Sequence, residues 1–298
     1  MKVGVVVLNY NGWENTLECV ESLKRCRKYF RDVDIIVIDN NSTDGSQAHL
    51  AKLRDVSLIL NNENLGYSGG NNIGIKSALI SKCEYVLIIN NDTYVNELFL
   101  KNIFKSKERY AISSPKIYFA PGFEFHKDRY SKTDLGKVIW YAGGQIDWSN
   151  IIGMHIGVDE VDTGQFNEKK KIDFATGACM LVKKEVFEKI GMFDEKYFLY
   201  LEDMDFCVRA KKAGFKITYI PQATVWHKNA AASGGSGSHL QDYYITRNRL
   251  LFAFKFAKLK TKLAVLRQTI LQTNNSTKRA ALIDFLTFKF GRSTRQPF

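Results

Sequence analysis

Short runs of uninterrupted aliphatic residues, each followed by a polar loop and then a helical stretch, constrain this chain more than any other feature. Val3–Leu8, Ile35–Ile38, Val56–Leu60 and Tyr85–Ile89 have strand length and are apolar at nearly every position. A strand with one wet face alternates apolar and polar residues, so continuous apolarity predicts strands covered on both faces of a parallel sheet. Helical segments near Thr16–Lys28, Ser46–Arg54 and Gly70–Ser81 fall between them and give the order βαβα. An open parallel sheet binds ligands beyond the carboxyl ends of its strands. The loops there read NYNG, DNNSTDGS, NNENLGYSGGNN and NNDT, all dense in hydrogen-bonding side chains.

Further along, residues 111–172 are less regular and suit antiparallel elements, followed by a strand over Ile172–Val182 and helices over Lys184–Ile190 and Leu201–Ala213. Ala230–Ser238 (AAASGGSGS) has linker composition and is expected to be a mobile loop that closes over a ligand. After it, Phe252, Phe256, Leu259, Leu263, Leu266 and Ile270 recur at helical spacing, with Lys255, Lys258, Lys262 and Arg267 off that face. A second amphipathic piece follows around Lys278–Phe290. From residue 246 onward there are 12 Lys/Arg and one acid, Asp284, so the net +12 leaves only about +1 for residues 1–245. The basic character belongs to a tail. The expected organisation is a catalytic unit, 1–245, and a basic amphipathic extension, 246–298.

A pI of 9.3 alone would suggest nucleic acid. Confined to an amphipathic tail, the charge argues for an anionic membrane surface instead, with packing on the catalytic unit or a homodimer seam as the alternative use of the apolar stripe. No apolar run approaches the roughly 18 residues of a membrane span. The five cysteines include no C-x-x-C pair, as expected of reduced thiols in a cytoplasmic protein.

Three polar clusters carry candidate chemistry. Asn9 and Tyr10 leave the first strand and Asp39 leaves the second; a carboxylate there suits the imide N–H of uracil or thymine, or simply caps the next helix with Ser42. Asn90, Asn91 and Asp92 follow YVLII, where Asp92 is a hard oxygen ligand for a divalent cation bridging two phosphates, or the head of an Asx turn. His227, in TVWHK, is the candidate to complete the metal shell. Glu202, Asp203 and Asp205 crowd like charges at a helix start, which raises a pKa and poises a general base, or complements the helix dipole. A dinucleotide-dependent dehydrogenase would carry G-x-G-x-x-G after the first strand, and this chain has NYNG.

In order, VVLNYNG, VIDNNSTDGS, NENLGYSGGNNIGI, YVLIINNDT, FATGACMLVKKEVFEKIGMFDEKYFLYLEDMDFCVRAKKAGF and VWHK resemble the family 2 glycosyltransferases of the GT-A fold, and most the rhamnosyltransferase branch. The resemblance runs from Val3 to about Phe252. It implies a Rossmann-like, mostly parallel sheet flanked by helices and an inverting, metal-dependent sugar transfer. Asp39 would contact the base, Asn90 or Asn91 the ribose region, and Gly69, Gly70 and Asn71 the donor phosphates or sugar. Asp92 and His227 would hold Mg2+ or Mn2+, the family's aspartate-rich motif appearing here as NND. Asp203 would be the catalytic base. Arg247 and Asn248, in YYITRN, would anchor the closing loop or pair with phosphate. The implied donor is a dTDP- or UDP-sugar, with rhamnose ahead of galactofuranose or a hexose, and a sugar-phosphate nucleotidyltransferase the more distant alternative. The implied acceptor is a glycan or lipid-linked oligosaccharide of cell-surface polysaccharide assembly, met at the inner membrane face.

Overall fold

The computed structural model describes residues 1–105, 110–229 and 238–294. Its first part winds β1 (Val3–Asn9), α1 (Trp13–Arg25), β2 (Val33–Asp39), α2 (Ser46–Leu50), β3 (Ser57–Leu60), α3 (Gly66–Ile80) and β4 (Tyr85–Asn90). Parallel pairing of β1 with β2 and β4, and of β2 with β3, sets the carboxyl ends of these strands along one edge. Both faces are covered at β1 and β4, where Val3, Val5, Val6 and Val7, and Val86, Leu87 and Ile88, have no exposed surface. That is the burial which continuous apolarity requires. β3, at the sheet edge, departs from this with Leu60 50% exposed.

Next come β5 (Thr93–Val95), α4 (Phe99–Ile103), β6 (Ile112–Phe119), β7 (Ile139–Tyr141) and the hairpin β8 (Gly144–Asp147) and β9 (Ile152–His155). They are followed by β10 (Lys170–Lys171), β11 (Cys179–Lys183), α5 (Lys184–Ile190), α6 (Glu202–Lys212) and β12 (Ile217–His227). The sheet runs β10-β12-β6-β11-β4-β1-β2-β3, with β5 beside β12 and β7 beside β6. The expected strand over Ile172–Val182 is shorter: Cys179–Lys183 pairs antiparallel to β4 and β6, while residues 172–178 form no continuous strand and bridge only at Phe174, to Gly144. β12 pairs parallel with β6 through a register shift between Ile220 and Thr224.

Three helices close the described chain: α7 (His239–Phe256), α8 (Leu259–Leu271) and α9 (Ser276–Leu286). α7 runs through residue 245. The expected single apolar stripe is divided, because Ala257 and Lys258 are extended and α8 starts in a new direction. Phe252 is buried, whereas Leu259, Leu263 and Ile270 are 71%, 56% and 50% exposed; Val265 and Thr269 face the protein instead. Among the described residues no helix is long and apolar enough to cross a membrane. All five cysteines are buried and unpaired.

Candidate active site

The loops after β1, β2 and β4 are welded together before any ligand is considered. Asn9 Nδ2 donates to Asp39 Oδ1 (2.8 Å) and Ser42 Oγ (3.1 Å), and Thr16 Oγ1 donates to Asn9 Oδ1 (2.7 Å). Asp39 Oδ2 accepts from Ser42 N (3.0 Å) and Gln47 Nε2 (3.2 Å). Asn91 Nδ2 reaches Thr16 Oγ1 (2.9 Å) and Gly12 O (3.3 Å). Asn9 and Asp39 have no exposed surface, so in this arrangement they order the loops; the bond from Ser42 N closes an Asx turn, and α2 begins only at Ser46, after Gly45, with no side-chain cap. Tyr10 and Asn90 remain half-buried at the same edge.

Asp92 and His227 are 135 positions apart in the chain and meet. β5 pairs antiparallel with the end of β12, Thr93 opposite His227, and His227 Nε2 lies 3.1 Å from Asp92 Oδ1. Both side chains are almost wholly buried, and among the described residues His227 Nδ1 has no hydrogen-bond partner. A carboxylate oxygen suits either Mn2+ or Mg2+, the imidazole nitrogen favours Mn2+ of the two, and two protein donors leave coordination positions for phosphate oxygens. The donor set fits the cation that the sequence implied. Among the described residues no group of three or more His, Cys, Asp or Glu gathers to bind a metal by itself.

The acidic cluster is sorted by its surroundings. Asp205 has no exposed surface and is ion-paired to Arg209 (2.6 Å) and to Lys255 of α7, with Tyr197 Oη donating to it at 3.2 Å. Its charge is matched, and its role is to join α6 to α7. Glu202 is buried with Oε2 lacking a partner among the described residues; burial, then the charge of Asp203, pushes its pKa well up. Asp203 is half-buried; burial raises its pKa, while N–H donors from Gly177 (2.9 Å) and Met204 (2.8 Å) oppose that rise. A carboxyl with raised basicity at a helix N-terminus is equipped to take a proton.

The segment before β11 links this carboxylate to the Asp92–His227 pair. Gly177 N donates to Asp203, and the next carbonyl, of Ala178, accepts from Asn90 N at 3.0 Å. Tyr67 Oη donates to Gly177 O (2.5 Å), and burial followed by the charges of Glu202, Asp203 and Asp92 raises its pKa far up. Asp92, His227 and Asp203 therefore border one region. Tyr67, Thr16 and Trp140 belong to it but were not singled out from sequence. The Trp140 ring lies 4.5 Å from both His227 and His155, and burial lowers the His155 pKa to about 4. Nothing in the spacing of WYAGG marks Trp140 as part of a site.

Other expected contacts lie elsewhere. A Cβ on Gly70 would sit 2.5 Å from Leu8 Cδ1, so Gly70 lets α3 lie close to β1, and one on Gly69 would sit 2.8 Å from Leu65 Cβ at the start of its own helix. Asn71 is 1% exposed and donates to Tyr67 O (2.9 Å). Arg247 is fully buried and donates to the carbonyls of Gly291, Lys196 and Tyr197. Pairing with phosphate is not what this geometry provides. The closing loop expected at 230–238 lies, but for Ser238, outside the described residues.

Comparison with known proteins agrees with this architecture. Glycosyl transferase family 2 matches over residues 4–191. The chain is 27% identical over 252 residues, 84% of its length and 74% of the relative's, to the low-salt glycan biosynthesis hexosyltransferase Agl10 of Haloferax volcanii. It is 26% identical over 239 residues, 72% of the chain and 73% of the relative, to the N-acetylglucosaminyl-diphospho-decaprenol L-rhamnosyltransferase of Mycobacterium tuberculosis. Among solved structures, GalNAc-T7 with UDP, GalNAc and Mn2+ shares the fold at a TM-score of 0.59 and 17% identity, over 90% of this chain and 54% of that one. The chain belongs to glycosyl transferase family 2 and has the GT-A architecture.

Proposed function

We propose that this family 2 glycosyltransferase inverts configuration while moving a sugar, L-rhamnose by first preference, from a dTDP or UDP donor to a glycan hydroxyl. The observation that carries the reading is the convergence of Asp203 with the Asp92–His227 pair through Gly177 and Ala178. In this reading Asp203 accepts the acceptor's hydroxyl proton as that oxygen attacks the anomeric carbon from the face opposite the diphosphate. Asp92 and His227 would hold a divalent cation, which supplies positive charge to the departing diphosphate. The loops bearing Asn9, Tyr10, Asp39, Asn90 and Asn91 would border the nucleoside. Rhamnose, and an acceptor carried on a lipid diphosphate, are suggested by the name of the mycobacterial relative.

The exposed Leu259, Leu263, Ile270, Leu271 and Phe288, interspersed with Lys258, Lys260 and Arg267, suit attachment to an anionic membrane where such an acceptor resides. We read residues 1–245 as the catalytic unit and 246–298 as the extension, with the junction inside α7.

The test is a transfer assay across sugar nucleotides with and without Mn2+, alongside calorimetric binding of dTDP and UDP. Asp203→Asn is expected to lower turnover by three orders of magnitude or so and leave diphosphate binding intact. Asp92→Asn is expected to weaken diphosphate binding only when Mn2+ is present. Wild-type turnover by Asp203→Asn would remove the base assignment.

A further inference from the structure

The backbone leading into Asp203 is unusual. Phe198, Tyr200 and Leu201 are bulky residues with φ of 63°, 70° and 67°, a conformation that side chains of this size disfavour, and Glu202 and Asp203 follow at once. Such a segment persists only where its surroundings over-determine it. Asn248, fully buried on α7, turns one amide toward three carbonyls: Nδ2 lies 2.8 Å from Tyr197 O, 2.7 Å from Leu199 O and 3.0 Å from Tyr200 O. Arg247 adds Nη2 to Lys196 O (3.1 Å) and Tyr197 O (3.0 Å), and its Nε donates to Asn248 Oδ1 (3.0 Å), which fixes which way that amide points. Phe198 is held from two more sides, its carbonyl by Ser68 N (3.2 Å) and its ring by Tyr244 at 5.1 Å.

We infer that Asn248 and Arg247 are positioning residues that hold residues 196–201 in the strained course that sets the Asp203 carboxylate. Neither side chain has surface with which to touch a substrate, so both act through backbone carbonyls. The same arginine places Nη1 on Gly291 O (2.8 Å), and Gly291 N returns to Lys196 O (2.8 Å). The chain beyond α9 is thereby tied to the same segment. Tyr243 extends the tie, its Oη reaching Asp284 Oδ2 of α9 at 2.6 Å. YYITRN is in this account a clamp between the C-terminal helices and the catalytic carboxylate.

The inference rests on Asp203 being the base, so the experiment separates the two. Turnover, donor KM and the pH profile of kcat are measured for Asn248→Asp, Asn248→Ala and Arg247→Lys, each also in an Asp203→Asn background, with thermal unfolding as a check on folding. Asn248→Asp faces a carboxylate to three carbonyls and is expected to lower kcat roughly tenfold to a hundredfold. Donor KM should change less than about twofold, a split in which only transition-state interactions are lost. The acid limb of the profile should also move, which a loss of folded protein alone would not do. In the Asp203→Asn background the same substitution should cost nothing further, because the group it positions is gone. Undiminished kcat in all three variants, or an equal loss with and without Asp203, overturns the positioning role. If Asp203→Asn by itself retains wild-type turnover, the base reading falls first.

Discussion

Gly66 is where helix α3 and the strained segment before α6 press together, and replacing it by alanine measures that contact. Its φ is +70°, and an added Cβ would lie 2.4 Å from the Phe198 carbonyl oxygen and 2.5 Å from a carbon of its ring. The carbonyl cannot yield cheaply, since Ser68 N holds it and Asn248 holds the carbonyls on either side. Two costs combine. The left-handed conformation costs a non-glycine residue roughly 1–2 kcal/mol, less about 0.4–1 kcal/mol recovered by stiffening the unfolded chain. Forcing a methyl into a packed contact adds about 1–3 kcal/mol. Gly45 isolates the first cost, because its φ is +86° and nothing lies within 4 Å of its added Cβ. Urea unfolding should therefore show Gly66→Ala less stable than Gly45→Ala by about 1–3 kcal/mol. In thermal melts that excess corresponds to several degrees, at on the order of 2 °C per kcal/mol for a chain of this size. Equal losses in the two variants would refute the close approach of α3 to Phe198.

Two further outcomes follow from the sorting of the acids. Burial and the Asp203 charge raise the Glu202 pKa above its unfolded value, so the folded state binds the extra proton and stability falls as pH rises through the interval between the two values. Glu202→Gln removes that term; thermal melts should show it gaining on wild type as pH rises above the ordinary carboxylate range, and a pH-independent difference would contradict the assignment. Asp205→Asn breaks the pairing with Arg209 and Lys255 and should lose roughly 2–4 kcal/mol in urea unfolding, somewhat below a fully buried pair because both cations keep some exposure. A loss under about 0.5 kcal/mol would mean that the network is replaceable by water.

How much of this was legible beforehand depends on the range of the interactions. β1, β2 and β4 lie where their aliphatic runs predict, and α5 spans Lys184–Ile190 as expected, because strand and helix periodicity are written within a few neighbouring residues. The polar loops at the carboxyl ends of the strands were equally plain, since topology alone sends them to one edge. Residues 172–178 have strand-like composition, yet their backbone bridges to Gly144 only at Phe174 and gives Gly177 N to Asp203 and Ala178 O to Asn90.

Sequence by itself determined the parallel α/β layering, the family and the set of acids among which a base is sought. Only tertiary structure decided which acid is neutralised, since the partner of Asp205 on α7 is fifty positions away. It also decided that Arg247 grips carbonyls and that the C-terminal apolar stripe splits between core and surface. The physical reason is common to all three. A pKa, a satisfied donor or a buried face depends on what lies across a gap of a few ångströms, and the chain brings those groups together from distant positions.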